Sequence, residues 1–387
     1  MAKQHLFGAP RKITQQIQDR KISWLELFSD LVYVVIIHSI TVGFGEHLNW
    51  PGLATFLILF YLIFNSWNNL VIYFDLHGNG SIRVIALTMA QIVLVALLAG
   101  SVTTAFAGHF TPTAVVYCLI QLLFMYMWWT TARYDPAHML TTGPYFIAYA
   151  VGLVFFLLVP LAPTAGLQQV AMAIAIFIDM FALTFESANF NREFTERKIP
   201  FQLSSSLLER YGQFTMIILG ESLANLIELF DEGLSFPKIG LFLLLIVSTI
   251  TVWWLYYSLM SNVEVHASNY QGLAIFRGMH INFILFLTLG CFFLMELAHS
   301  QATIIKSGYL ISLVLTLGTL TLMVLRHQRN RTSTTEIIIS GGLVFLICVI
   351  SFFLPKILML ILIDLALIGA CVYREYNVLS RHTLKVP

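Results

Sequence analysis

Charge is what this sequence has least of. Asp, Glu, Lys and Arg make up 11% of its 387 residues, where soluble globular proteins carry about 25%. Hydrophobic residues make up 58%, and the mean hydropathy is +0.82. Most of the length therefore belongs in a lipid bilayer. Cysteine is scarce too. Cys118, Cys291, Cys348 and Cys371 each lie alone inside an apolar run, which indicates neither a disulfide framework nor a zinc site. No His-Glu-x-x-His occurs. Gly78-Asn79-Gly80 lacks the lysine and helix context of a phosphate loop. Ser340-Gly341-Gly342 opens an apolar run and reads as close helix packing. We expect no metal and no cofactor. The net charge is only +1, and no basic run is interleaved with aromatics, so nucleic acid is not an expected partner. The first 21 residues are polar and basic, without the apolar core or cleavage site of a signal peptide.

What is present is length in apolar runs. A spanning helix needs about 20 mostly apolar residues. Twelve runs qualify, at 24–44, 52–74, 83–106, 113–132, 143–163, 168–190, 209–230, 238–261, 277–299, 307–326, 335–354 and 357–374. The fold class that follows is an all-α polytopic membrane protein of about twelve transmembrane helices. The lipid bilayer is its first partner. With twelve spans, 18 of the 21 Lys and Arg fall on one side, among them Lys3, Arg11, Lys12, Arg329 and Lys385. By the positive-inside rule that side, with both termini, is cytoplasmic. The expected location is the bacterial inner membrane.

Two stretches echo one another. Ser23 to Ile40 and Ser206 to Leu223 both open Ser-x-x-Glu. Twelve residues past that Glu, the first has His38-Ser39-Ile40 and the second Glu221-Ser222-Leu223. The copies are 183 residues apart, close to half the chain. The chain then divides into a tail (1–21), a first six-helix repeat (22–190), a linker (191–208), a second repeat (209–374) and a tail (375–387). Six is even, so the repeats share one topology, related by an axis along the membrane normal. In the linker, Phe194, Ile199, Phe201 and Leu203 alternate with charged residues. This pattern predicts an amphipathic segment at the membrane surface.

The ionisable residues inside the runs are the functional candidates. Glu221 and His38 lie about 18 Å along the helix from their opening Glu, at 1.5 Å per residue. They are expected at equivalent depths, where they can face each other and exchange protons. A buried pair that only holds helices together is the alternative. Asp179 lies in the middle of its run and is a further proton or ion site. Asp30 lies one turn deeper than Glu26, either in an ion pair with Arg83 or at a functional site. Two roles are open to Glu26 and Glu209. Each completes a capping box with Ser23 or Ser206. Each also fits a cytoplasmic-side charge cluster with Arg83, Arg210, Arg277 and His280, in which Glu26 pairs with Arg83, and Glu209 or Arg210 with Arg277. Asn65, Asn68 and Asn69 share one helix face and suit interhelical hydrogen bonds. Glu186, Glu296 and Asp364 are further ionisable residues within the runs.

These residues also carry a resemblance. SWLELFSDLVYVV (23–35) resembles the opening signature of the low-temperature-requirement A family of bacterial membrane proteins. LLERYGQFTMIILGES (207–222) is similar to that family's second signature, and RGMHINFILFLTLG (277–290) to a weaker third block. Tyr211 stands where the family pattern usually has His, and Ser29 where it usually has an aromatic. The resemblance implies a twelve-span architecture and highlights Glu26, Asp30, Glu209, Arg210 and Glu221. It implies no substrate.

Three functions fit. A secondary transporter, coupled to protons or an ion and moving a small molecule or ion, follows from the repeat and from Glu221, His38 and Asp179. An intramembrane enzyme acting on a lipid or isoprenoid phosphate follows from the charge cluster at headgroup depth. A non-catalytic sensor or assembly factor would have satisfied polar pairs throughout.

Overall fold

A computed structural model describes residues 8–15, 17, 20–185, 187–231, 233–260, 263, 265–327 and 331–383. Lys3, Arg329, Lys385 and Glu186 lie outside the described residues. The described elements are all helical. In chain order they are α1 (Trp24–Glu46), α2 (Trp50–His77), α3 (Ile82–Gly100), the short α4 (Val102–Phe106), α5 (Thr111–Tyr134), α6 (Met139–Leu158), α7 (Ala165–Phe185), α8 (Ser187–Glu196), α9 (Ser205–Leu226), α10 (Phe236–Met260), α11 (Tyr270–His299), α12 (Thr303–His327), α13 (Arg331–Ser351) and α14 (Lys356–Thr383). Eleven helical stretches among the described residues are long and apolar enough to cross a membrane. The run expected at 335–354 falls on α13, where Gly341–Ser351 forms a shorter apolar helix.

Local chemistry sets the helix starts. Ser23 and Glu26 form the expected capping box. The Glu26 N–H donates to Ser23 Oγ at 3.3 Å, and the Ser23 N–H to Glu26 Oε1 at 3.0 Å. Asn49 caps α2 by accepting from the Gly52 N–H at 2.8 Å, with Pro51 beside it at the helix start. The second box is not formed. α9 begins at Ser205, so Ser204 takes the cap and accepts from the Leu207 N–H at 3.1 Å. Ser206 lies inside the first turn and donates to Asp75 Oδ1 at 2.9 Å. Three consecutive serines offered three possible starts, and a tertiary partner for Ser206 selected one of them.

The chain forms two compact units. The first is Met1–Tyr211 with Ala267–Ala274, and the second is Gly212–His266 with Ile275–Pro387. In the first, α6 packs on α5 and α7, α1 on α2 and α3, and α2 on α7. α2 is its axis: every residue from 62 to 75 is buried. A helix enclosed on all sides is the core of its bundle. Outer helices instead expose apolar side chains at turn spacing, as at Leu31 and Val35 on α1 and Ile147, Val151 and Val154 on α6. That surface suits lipid. In the second unit α14 packs on α10 and α13, and α12 on α13.

The apolar face of the amphipathic linker packs within the first unit. Phe190, Phe194 and Ile199 form an apolar cluster with Ile13 and Tyr270, and Phe201 packs against it. The Phe190 and Tyr270 rings stack with centroids 4.1 Å apart. The amphipathic pattern was real, but its apolar face found protein partners.

Candidate functional site

The first unit holds a buried ionic cluster where α1 and α9 begin. Arg210 is fully buried, and its guanidinium donates from Nη1 to Glu26 Oε2 at 2.9 Å and from Nη2 to Asp30 Oδ1 at 2.6 Å. Arg20 binds the same Glu26 through both nitrogens of its fork, at 2.8 and 2.7 Å. The Trp67 indole N–H donates to Asp30 Oδ1 at 2.9 Å. Asp75 accepts from Ser204 and Ser206, with the Arg20 Nε at 3.9 Å. Bidentate arginine geometry of this kind fixes orientation as well as charge. It joins the two signature stretches in one network.

Several expected partners are replaced. Glu26 pairs with Arg20 and Arg210, not Arg83, and Asp30 pairs with Arg210. Arg83 lies over the Tyr134 ring, 5.6 Å from its centroid. Arg210 turns to the two carboxylates of α1 because they lie beside it in the first unit. Glu209, its neighbour in sequence, is exposed. Arg277 and His280 are buried in the second unit, where His280 Nε2 lies 3.4 Å from the Tyr256 hydroxyl. Tyr211, at the position where a histidine was expected, donates its hydroxyl to Asn68 Oδ1 at 2.9 Å.

A second polar group runs through the interior of the same unit. Asn69 Oδ1 accepts from the Tyr145 and Tyr149 hydroxyls at 2.6 and 2.9 Å. Its amide donates to Asn65 Oδ1 at 3.0 Å, and the Asn65 amide donates to the Tyr117 hydroxyl at 3.0 Å. Because α2 is buried all round, its asparagines serve α5, α6 and α9 rather than a single neighbour. Beside this group lies Asp179, which is 1% exposed. Gln121 links the two, donating to the Tyr149 carbonyl at 2.7 Å and to Asp179 Oδ1 at 3.1 Å. Asp179 Oδ2 has no hydrogen-bond partner among the described residues. A Cβ at Gly152 would stand 2.4 Å from Asp179 Oδ1, so glycine makes the room for this carboxylate.

His38 is half-buried on α1 in the first unit, and Glu221 is buried on α9 in the second, beside Cys291. Asp364 on α14 is buried, accepts from the Ser248 hydroxyl at 2.5 Å, and has no hydrogen-bond partner for Oδ2 among the described residues. Among the described residues, no three His, Cys, Asp or Glu come together as a metal-binding group.

Sequence reasoning missed Arg20, Trp67 and Asp75 in the ionic cluster, and Gln121, Tyr117, Tyr145 and Tyr149 around Asp179. In the sequence Arg20 is one more basic residue of the N-terminal tail. The tyrosines lie in apolar runs, and only hydroxyls at matched depth would mark them.

An all-helical bundle, apolar on its outside and carrying paired charges within, defines an integral membrane protein with many spans. Residues 21–372 match the family model described as Bacterial low temperature requirement A protein (LtrA), and the chain belongs to that family. Neither the curated proteins nor the solved structures include a match.

Proposed function

We propose that the protein is a secondary transporter of the bacterial cytoplasmic membrane, coupled to protons or another cation, with both termini in the cytoplasm. The observation that carries this reading is Asp179. It is buried on a spanning helix, has one oxygen unpaired, and is paired with no cation among the described residues. A lone carboxylate is too costly to hold charged in hydrocarbon. It binds a proton or a cation, and reversible binding there is what coupling needs. Asp364 stands in the same state on the last spanning helix of the second unit, 185 residues on. That offset is close to the 183 between the two signatures and favours a repeat of six helices. Glu221, His38 and Asp30 remain candidate proton or ion sites, each in its own unit.

Transport is favoured over chemistry on a lipid or isoprenoid phosphate. A phosphate site needs uncommitted cations; Arg20 and Arg210 are already bound to carboxylates, which leaves Arg83, whose Nε and Nη2 have no hydrogen-bond partner among the described residues, as the one arginine of the charge cluster in the first unit that such a site could draw on. The test is to reconstitute the protein in liposomes and screen small solutes for movement that drives, or is driven by, a proton or sodium gradient. Solute-dependent ion flux above that of empty liposomes supports the reading. Solute binding without flux favours a sensor.

A further inference from the structure

Arg83 is a cation of the first unit that the ionic cluster leaves over. It is the second residue of α3, which Ser81 caps. Its guanidinium carbon lies over the Tyr134 ring, 5.6 Å from the centroid. Nε and Nη2 are buried without a hydrogen-bond partner, and no carboxylate pairs with the residue among the described residues. Three things are unfavourable in this arrangement. Unmet N–H groups of a charged side chain cost more than those of a neutral one. A cation in the first turn of a helix opposes the positive end of the macrodipole. The tyrosine face attracts the charge but accepts no hydrogen bond in the plane of the fork.

One bound anion answers all three. It accepts from the fork, neutralises the charge and suits the start of a helix. The surface around Arg83 says which anion. Further along α3, Ile85, Met89 and Val93 are exposed at turn spacing. α5 packs on α3, and shortly before Tyr134 it exposes Tyr126 and Trp129, their rings 6.2 Å apart. An exposed apolar column along a span suits acyl chains, and exposed Tyr and Trp gather where acyl chains meet headgroups. Arg83 thus stands at headgroup depth, at the end of a surface made for acyl chains.

We propose that Arg83 binds the phosphate of an anionic phospholipid whose acyl chains lie along α3. Arginine fits phosphate with two parallel hydrogen bonds, and basic pockets between spanning helices hold such headgroups. Tyr134 is 48% exposed, so its ring is free to swing outward as the phosphate takes the Nε–Nη2 edge. Arg133, one residue before it, is exposed and serves as the comparison: a charge at the same helix end without an enclosed fork. With no carboxylate or histidine bonded to Arg83 among the described residues, the site holds a headgroup and has no acid or base to act on it. The assignment stands whether or not the protein transports anything.

The test is binding of phosphatidylglycerol to the purified full-length protein in detergent micelles, read as the rise of its unfolding temperature with lipid concentration. Phosphatidylcholine and inorganic phosphate are titrated in parallel. The proposal expects phosphatidylglycerol to stabilise the unmodified protein more than either of them. Arg83→Gln weakens the phosphatidylglycerol affinity about tenfold or more. Arg133→Gln, which removes an exposed charge, changes it by less than about twofold. Equal weakening by the two variants, or none in Arg83→Gln, overturns the proposal. Inorganic phosphate that matches the lipid's effect, and loses it in Arg83→Gln, makes the ligand a free anion and overturns the phospholipid assignment. If Arg83→Gln does not fold, Arg83→Lys decides. Lysine keeps the charge and lacks the fork, so weaker phosphatidylglycerol binding supports the site, and binding equal to that of the unmodified protein overturns it.

Discussion

Arg210 Nη2 donates to Asp30 Oδ1 at 2.6 Å across 180 positions of chain. Both groups are buried, so the bond ties the start of α9 to α1 without help from solvent. Breaking a buried pair from one side leaves the other charge stranded. Arg210→Met should therefore destabilise the protein by about 3–5 kcal/mol. Adding Asp30→Leu to it should recover part of that loss. Thermal unfolding in detergent, arranged as a double-mutant cycle, measures both steps.

Glu26 and Glu209 occupy matching positions in the two echoing stretches, yet they should respond differently. Glu26→Ala removes partners from Arg20, Arg210 and the Ser23 cap, and a loss of about 3–5 kcal/mol is expected. Glu209 is exposed, so Glu209→Ala should stay within about 0.5 kcal/mol. Comparable unfolding shifts for the two variants would contradict the asymmetry.

Asn69→Ala removes the acceptor shared by Tyr145 and Tyr149 and the donor to Asn65. Each hydroxyl left unsatisfied costs about 1–3 kcal/mol. The two tyrosines keep their mutual contact at 2.7 Å, so the expected total is nearer one such term than two. Unfolding measurements on Asn69→Ala with and without Tyr149→Phe separate these cases.

Gly152→Ala adds one methyl, placed 2.4 Å from Asp179 Oδ1. Either Asp179 or Gln121 must move, at about 1–3 kcal/mol for an overpacked core. The expected signature is a loss of ion-coupled activity larger than the loss of stability. Activity equal to that of the unmodified protein would show that the Asp179–Gln121 geometry is unimportant.

Much of the architecture was legible because it is written in composition. The apolar runs do not depend on tertiary detail. The Ser23 capping box was legible for the same reason, since cap and helix are neighbours in sequence. Ser206 was not. Its role is decided by Asp75, 131 positions away, and Ser204, two positions earlier, takes the cap instead. Residue types with large charge were found as candidates, but their pairings were not. Arg83 was assigned to Glu26 by depth alone, and depth does not say which helix lies alongside. The segment after α7 was legible in part. Its amphipathic pattern predicts an apolar face without saying whether lipid or protein covers it, and Ile13 and Tyr270 cover it. Tyr117, Tyr145 and Tyr149 carried no signal that separates a buried hydroxyl network from aromatic packing.

The central claim is that Asp179 binds the coupling proton or cation inside the first unit. The direct test is ion flux in proteoliposomes, once a transported solute is in hand, compared across pH for the unmodified protein, Asp179→Glu and Asp179→Asn. The account predicts that Asn, which cannot exchange a proton and carries no charge, abolishes solute-driven ion flux while the folded protein persists. Glu should retain flux with a displaced pH profile. Flux in Asp179→Asn with the pH dependence of the unmodified protein would contradict it.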